Sequence, residues 1–173
     1  MKNMKKIISD IAKKHKEIVK VRQFPVSNMV VKDWTLLKCQ FGCDSYSKNW
    51  ACPPSGDGPE VLRKSLKDYK KALLVVGSTK DVAGQKRFMK DVLALEKELF
   101  LANFYKAFAL MPGPCALCAK CARPKPCRHP HSMRPEMAGM GVDLFATLKK
   151  LGIGLKVLKK PQEFKTYAII LLE

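Results

Sequence analysis

The run PGPCALCAKCARPKPCRHP, residues 112–130, places four cysteines, Cys115, Cys118, Cys121 and Cys127, within thirteen residues. A C-x2-C-x2-C loop followed by a fourth cysteine can wrap one compact centre and turn successive thiolates toward it. Bacterial ferredoxins hold iron–sulfur cubanes with C-x2-C-x2-C-x3-C-P. This run shares the first three positions, but its spacing to Cys127 is longer, and Arg128 follows instead of Pro. Four thiolates also satisfy a closed tetrahedral zinc site, although structural zinc sites usually pair two CxxC knuckles across a longer connection. Pro112, Pro114, Pro124 and Pro126 stiffen the loop and reduce the entropy lost on ordering it. The expected cofactor is one or two [4Fe–4S] clusters, with zinc as the alternative.

A second group precedes it. CQFGCDSYSKNWACPP carries Cys39, Cys43 and Cys52 with C-x3-C-x8-C spacing, which is less diagnostic. Cys52 precedes Pro53-Pro54, as a ferredoxin ligand precedes its Pro. Tyr46 and Trp50 are candidates to shield a cluster from water, and packing in the core is their alternative role. Arg128 and His129 are further candidates for cofactor contact. Seven cysteines leave two closed four-thiolate centres one ligand short. Cys127 either closes its own group or crosses over to the first, as in two-cluster ferredoxins. Local closure costs the least chain entropy. The vacancy then falls to the first group, open to His129, His131, Asp44, water, a substrate or a partner's residue. The bland alternative is that Cys39, Cys43 and Cys52 are buried apolar residues. A Cys127/His129 nucleophile pair is conceivable, but adjacent metal ligands account for the same residues.

The rest of the chain reads as alternating helices and strands. Met4, Ile7, Ile8, Ile11, His15, Ile18 and Val19 form a helical stripe, predicting a helix over 3–20, with His15 at the core edge. SNMVVKDWTL, 27–36, reads as a strand. Gly56-Asp57-Gly58 is a turn, and Pro59 suits the first position of a helix carrying Leu62, Leu66 and Tyr69. ALLVVGS, 72–78, is a buried strand, 82–105 a long core helix, and FALMP, 108–112, another strand. Residues 142–151 form a helix closed by Gly152, and LKVL and TYAIILLE a hairpin around Pro161. The expectation is a single α+β domain over 1–173, with one mixed sheet covered by helices and two cysteine-rich metal loops.

With 173 residues, 47% of them apolar, the chain can build its own core. No apolar run reaches the roughly 18 residues of a membrane span. The basic start MKNMKKIISDIAKKHKEIVK lacks the unbroken apolar stretch of a signal peptide. An odd, clustered set of cysteines argues against a disulfide framework. The expected location is the cytoplasm, where thiols stay reduced. Net charge is +18, from 27 Lys and 6 Arg among the cations. Arg supplies most bidentate base and phosphate recognition, so its scarcity argues against sequence-specific nucleic-acid binding. An acidic redox protein is the expected partner, and a merely solvated Lys-rich surface the alternative. P-loop, GxGxxG and HExxH motifs are absent.

Three places together resemble an uncharacterised microbial family of predicted metal-binding proteins. They are Tyr46…Trp50…Cys52-Pro53-Pro54, C-x2-C-x2-C closing in CRHP at Pro130, and Arg134-Pro135 followed by Gly141-Val142-Asp143. One departure is Ser47, where members commonly carry Gly after the Tyr. The resemblance implies metal or iron–sulfur binding, largely in anaerobic microbes, with no settled activity. Three readings follow. The first is an electron-transfer or redox-accessory protein. The second is a zinc-stapled, non-catalytic binding module with a basic surface. The third is an enzyme that uses an open cluster iron.

Overall fold

The computed structural model describes residues 4–55, 58–155 and 164–173. Its elements are α1 (Met4–Ala12), β1 (Ile18–Pro25), α2 (Thr35–Gly42), α3 (Gly58–Ser65), β2 (Lys71–Thr79), α4 (Val82–Leu101), β3 (Phe108–Leu110), α5 (Leu144–Lys150) and β4 (Phe164–Leu171). The strands form one sheet in the order β1-β2-β4-β3, with every neighbouring pair antiparallel. The expected α+β architecture, one sheet covered by helices, is the one observed. The sheet is antiparallel where a mixed one was expected; a parallel pairing occurs as the isolated bridge Met111↔Glu136.

Side chains alternate across a strand, and here the alternation divides two cores. Leu73 and Val75 of β2, Ala168 and Ile170 of β4, and Ala109 of β3 face α1 and α4, meeting Ile8, Ile11, Phe88, Val92, Leu95 and Leu99. Ala72, Leu74 and Val76, Tyr167, Ile169 and Leu171, and Leu110 face the other way, toward Leu62 of α3, Leu148 of α5, and Met137 and Val142. Burial on both faces is why β2 and β4 read as unbroken apolar runs. Each such Leu or Ile contributes roughly 1.5–3 kcal/mol by leaving water. Asp81 caps α4, its Oδ1 accepting from the Gly84 amide at 2.6 Å. Asp143 caps α5 in the same way through the Ala146 amide at 2.9 Å. Gly152, at φ +72°, ends α5 as expected.

Two expected elements differ. The helix expected over 3–20 stops at Ala12, because Ile18 and Val21 are used by β1 instead, and Val19, counted in the helical stripe, faces solvent. The expected strand 27–36 is a 3-10 turn at Val26–Asn28 followed by a loop into α2. β1 already occupies the edge of β2. Val30 and Val31 therefore pair locally with the start of α5: Val31 bridges Val142, and the Val30 amide donates to Thr147 Oγ1 at 3.0 Å. The turn at Gly56-Asp57 and the LKVL strand with its hairpin around Pro161 fall largely outside the described residues. Among the described residues no helix is long and apolar enough to cross a membrane.

Candidate metal centres

The loop after β3 has no regular structure, and its backbone amides organise its sulfurs. The His129 amide donates to Cys127 Sγ at 3.4 Å. The Leu117 amide serves Cys115, and the amides of Arg123, Trp50 and Ala122 serve Cys121. Three of these contacts run from residue i+2 back to the cysteine, so Cys115, Cys121 and Cys127 each sit in a small turn with an N–H donor. At Cys121 burial raises the thiol pKa, but the amides and the Arg128 guanidinium outweigh it, and the pKa lies below the ordinary value. Cys115 is raised, by burial first, against the Leu117 amide. All four cysteines of the loop line one cavity, together with Asn49, Trp50, Leu117, Arg128, His129 and Met133. Cys127 thus lines the same cavity as its three sequence neighbours.

The first group, expected as a loop, begins on a helix. Cys39 lies in the last turn of α2, Cys43 is the residue that ends that helix, and Cys52 comes from the turns that follow. Cys39 and Cys52 are buried and Cys43 is exposed. Burial pushes Cys39 up to about 11 and Cys52 up to about 12, with the Glu136 carboxylate as the next cause and Cys43 after it. Glu136 is partly buried, and desolvation raises its own pKa against two amide donors, Ala138 to Oε1 at 2.9 Å and Gly139 to Oε2 at 2.7 Å.

One strip of backbone joins the groups. The Met111 amide donates to Pro135 O and the Met137 amide to Met111 O, both at 2.9 Å, while the Glu136 amide donates to Ala51 O at 2.9 Å. Residues 135–137 therefore lie between the end of β3 and the Cys52 segment. Asn49 Nδ2 donates to Cys115 O at 3.2 Å, Trp50 Nε1 to Lys125 O at 2.9 Å, and Arg123 to Ser55 Oγ at 2.8 Å. Arg123 also stacks on the Trp50 ring, 5.1 Å from its centre. The segment that carries Cys52 is thus docked into the loop that carries the other four.

Trp50, Arg128 and His129 stand at the cavity of the second group. Tyr46 is half-buried beside Cys43, whose carbonyl accepts its amide at 3.1 Å, and does not line that cavity. Asp44 and His131 are exposed; His131 lines a separate groove with Phe108 and Arg134. Sequence reasoning missed Asn49, Arg123, Glu136 and the Arg134–Glu96 pair. That pair anchors the end of the loop to α4, with Arg134 Nη2 2.7 Å from Glu96 Oε1. The only signal for Glu136 was its place after the Arg134-Pro135 step. No spacing links it to Cys39 or Cys52.

The model of the family described as predicted metal-binding protein (DUF2284) matches residues 22–172. The chain belongs to this family. The matched span holds both cysteine groups. No curated protein and no solved structure matches it. For a DUF2284 member the sulfur arrangement has a definite geometry. Among the described residues, no three Cys, His, Asp or Glu side chains converge closely enough to hold one metal ion. The four thiols of the second group line one small cavity.

Proposed function

We propose that this DUF2284 protein is an iron–sulfur redox or electron-transfer accessory protein, with one [4Fe–4S] cluster held by Cys115, Cys118, Cys121 and Cys127 and a second at Cys39, Cys43 and Cys52. The observation that carries this reading is the cavity lined by four thiols, three of them receiving backbone N–H bonds. Tetrahedral zinc draws its sulfurs to within ~2.3 Å of one point. A multi-iron core needs them spread around it, and amide donors to sulfur tune its potential. Bound there, such a core supplies a one-electron reservoir. The chain's own part is to fix the thiols, aim amides at them, and cover them with Trp50 and Met133. The reduced thiols this chemistry needs support a cytoplasmic location.

The partner in this reading is an acidic redox protein. A groove of about 560 Å³ beside the cysteine loop is lined by Phe100, Tyr105 and Phe108 together with Lys90, Lys97 and the Arg134–Glu96 pair, and shares Leu117 with the thiol cavity. Its aromatic lining suits a protein surface, and its two lysines suit an acidic one. A second copy at +18 would be repelled.

Protein purified without oxygen is expected to be brown and to contain iron and acid-labile sulfide. Zinc at one per chain without sulfide would overturn the reading in favour of the zinc-stapled module. Cys118→Ser and Cys121→Ser are each expected to lose the second centre and lower the melting temperature, because metal binding and ordering of this loop are one process. Full metal content with unchanged melting in either variant would refute that assignment.

A further inference from the structure

We propose that the Glu136 carboxylate is the missing protein ligand of the first centre, completing a set with Cys39, Cys43 and Cys52. The inference rests on the reading of those cysteines as an iron–sulfur site and names the position that seven thiols leave vacant. Three contacts set the turn that carries Glu136 beside the segments that carry Cys39 and Cys52. Its amide bonds to Ala51, the residue before Cys52, at 2.9 Å. Ala138 O accepts from Thr35 Oγ1 at 2.8 Å, which ties the 136–139 turn to the start of α2, one turn before Cys39. Gly139 lies so close to Pro53 that an added methyl would fall 2.7 Å from Pro53 Cδ. The turn is wedged between the two segments that carry the buried thiols. Among the described residues its acid accepts from the amides of Ala138 and Gly139, which take one lone pair from each oxygen. An ionised carboxylate offers about four acceptor sites, so both oxygens keep one free.

A helix-cap-like role for Glu136 is the competing account. Capping uses one acceptor on each oxygen, so Glu136→Gln keeps one of the two amide bonds and turns an NH2 toward the other amide, which loosens the turn but takes no iron from a cluster that Glu136 does not ligate. A ligand needs the anion. A carboxylate is harder than a thiolate and holds iron less firmly, so the iron it binds is the one most open to exchange with small molecules. The enzyme reading then has a defined position at which substrate would enter, by displacing Glu136.

The test uses the full chain purified anaerobically, comparing the unmutated protein with Glu136→Gln and Cys43→Ser. Glu136→Gln is expected to lose about one iron per chain and to show the paramagnetic signature of a three-iron cluster in place of part of the four-iron signal. Cys43→Ser is expected to lose the whole first centre. If Cys43→Ser keeps its iron, the first group holds no cluster, and the underlying reading falls together with the proposal. If Cys43→Ser loses iron but Glu136→Gln has unchanged iron content and spectrum, the cap account stands and the ligand proposal alone is overturned. Should Glu136→Gln not fold, the unmutated protein labelled with 13C-carboxylate glutamate decides. A resolved carbon hyperfine coupling to the reduced cluster supports the ligand, and its absence overturns it.

Discussion

Ser47 shows what a single residue can reveal. It adopts φ +57°, in the left-handed region, while its amide donates to Pro53 O at 2.8 Å and closes the turn around Cys52. A side chain there costs about 1–2 kcal/mol relative to glycine, partly offset by the greater freedom of an unfolded glycine. Ser47→Gly is therefore expected to raise stability by up to about 1 kcal/mol in urea unfolding, and a loss would show the hydroxyl has a partner of its own. The thiols offer a second residue-scale test. In metal-free protein, iodoacetamide at pH 8 should label the exposed Cys43 well before the buried Cys39 and Cys52, read by mass spectrometry. Unfolded thiols ionise from about 8.5, whereas Cys39 and Cys52 resist until about 11 and about 12. The unfolded chain releases those protons first. Metal-free stability is thus retained below this window and falls as pH rises through it.

Among the elements, β2 and α4 meet at Gly77. A methyl group there would strike the Phe88 ring, with Cε2 at 2.8 Å, and approach the Glu17 carbonyl at 3.0 Å. Phe88 is fully buried, so it has nowhere to retreat. Gly77→Ala is expected to cost about 1–3 kcal/mol, and an unchanged urea midpoint would mean that Phe88 repacks freely. Both elements were legible in the sequence because each is long and strongly patterned: ALLVVGS is buried on two faces, and Phe88, Val92, Leu95 and Leu99 repeat with helical period. The stretch around Val19 misled because branched residues at 18, 19 and 21 fit a helical stripe and a strand equally well. Pairing with β2 decided between them, and pairing is a property of the sheet. The same holds for the candidate site. Cysteine spacing identified the 115–127 loop, since its members are neighbours in sequence. Glu136 and Asn49 reach the cysteines only through contacts between distant segments, which no local pattern encodes.

At the scale of the whole molecule, charge and topology set the behaviour. A net +18 carried mostly by Lys should bind any nucleic acid through its phosphates alone. Two unrelated duplexes of equal length are expected to bind alike, and to lose affinity at least ~100-fold between 50 and 200 mM salt. A tight complex with one of them at physiological salt would show that the surface reads bases. The strip Ala51–Glu136–Met111 has a further consequence, for motion. Its hydrogen bonds belong to neither cysteine group but hold both, so the loops cannot open one at a time without breaking it. Amide exchange at Met111, Glu136 and Met137 should then proceed through one shared opening event. Stripping metal from either loop should speed all three amides together, making the two halves a single cooperative unit in which damage at one centre is felt at the other.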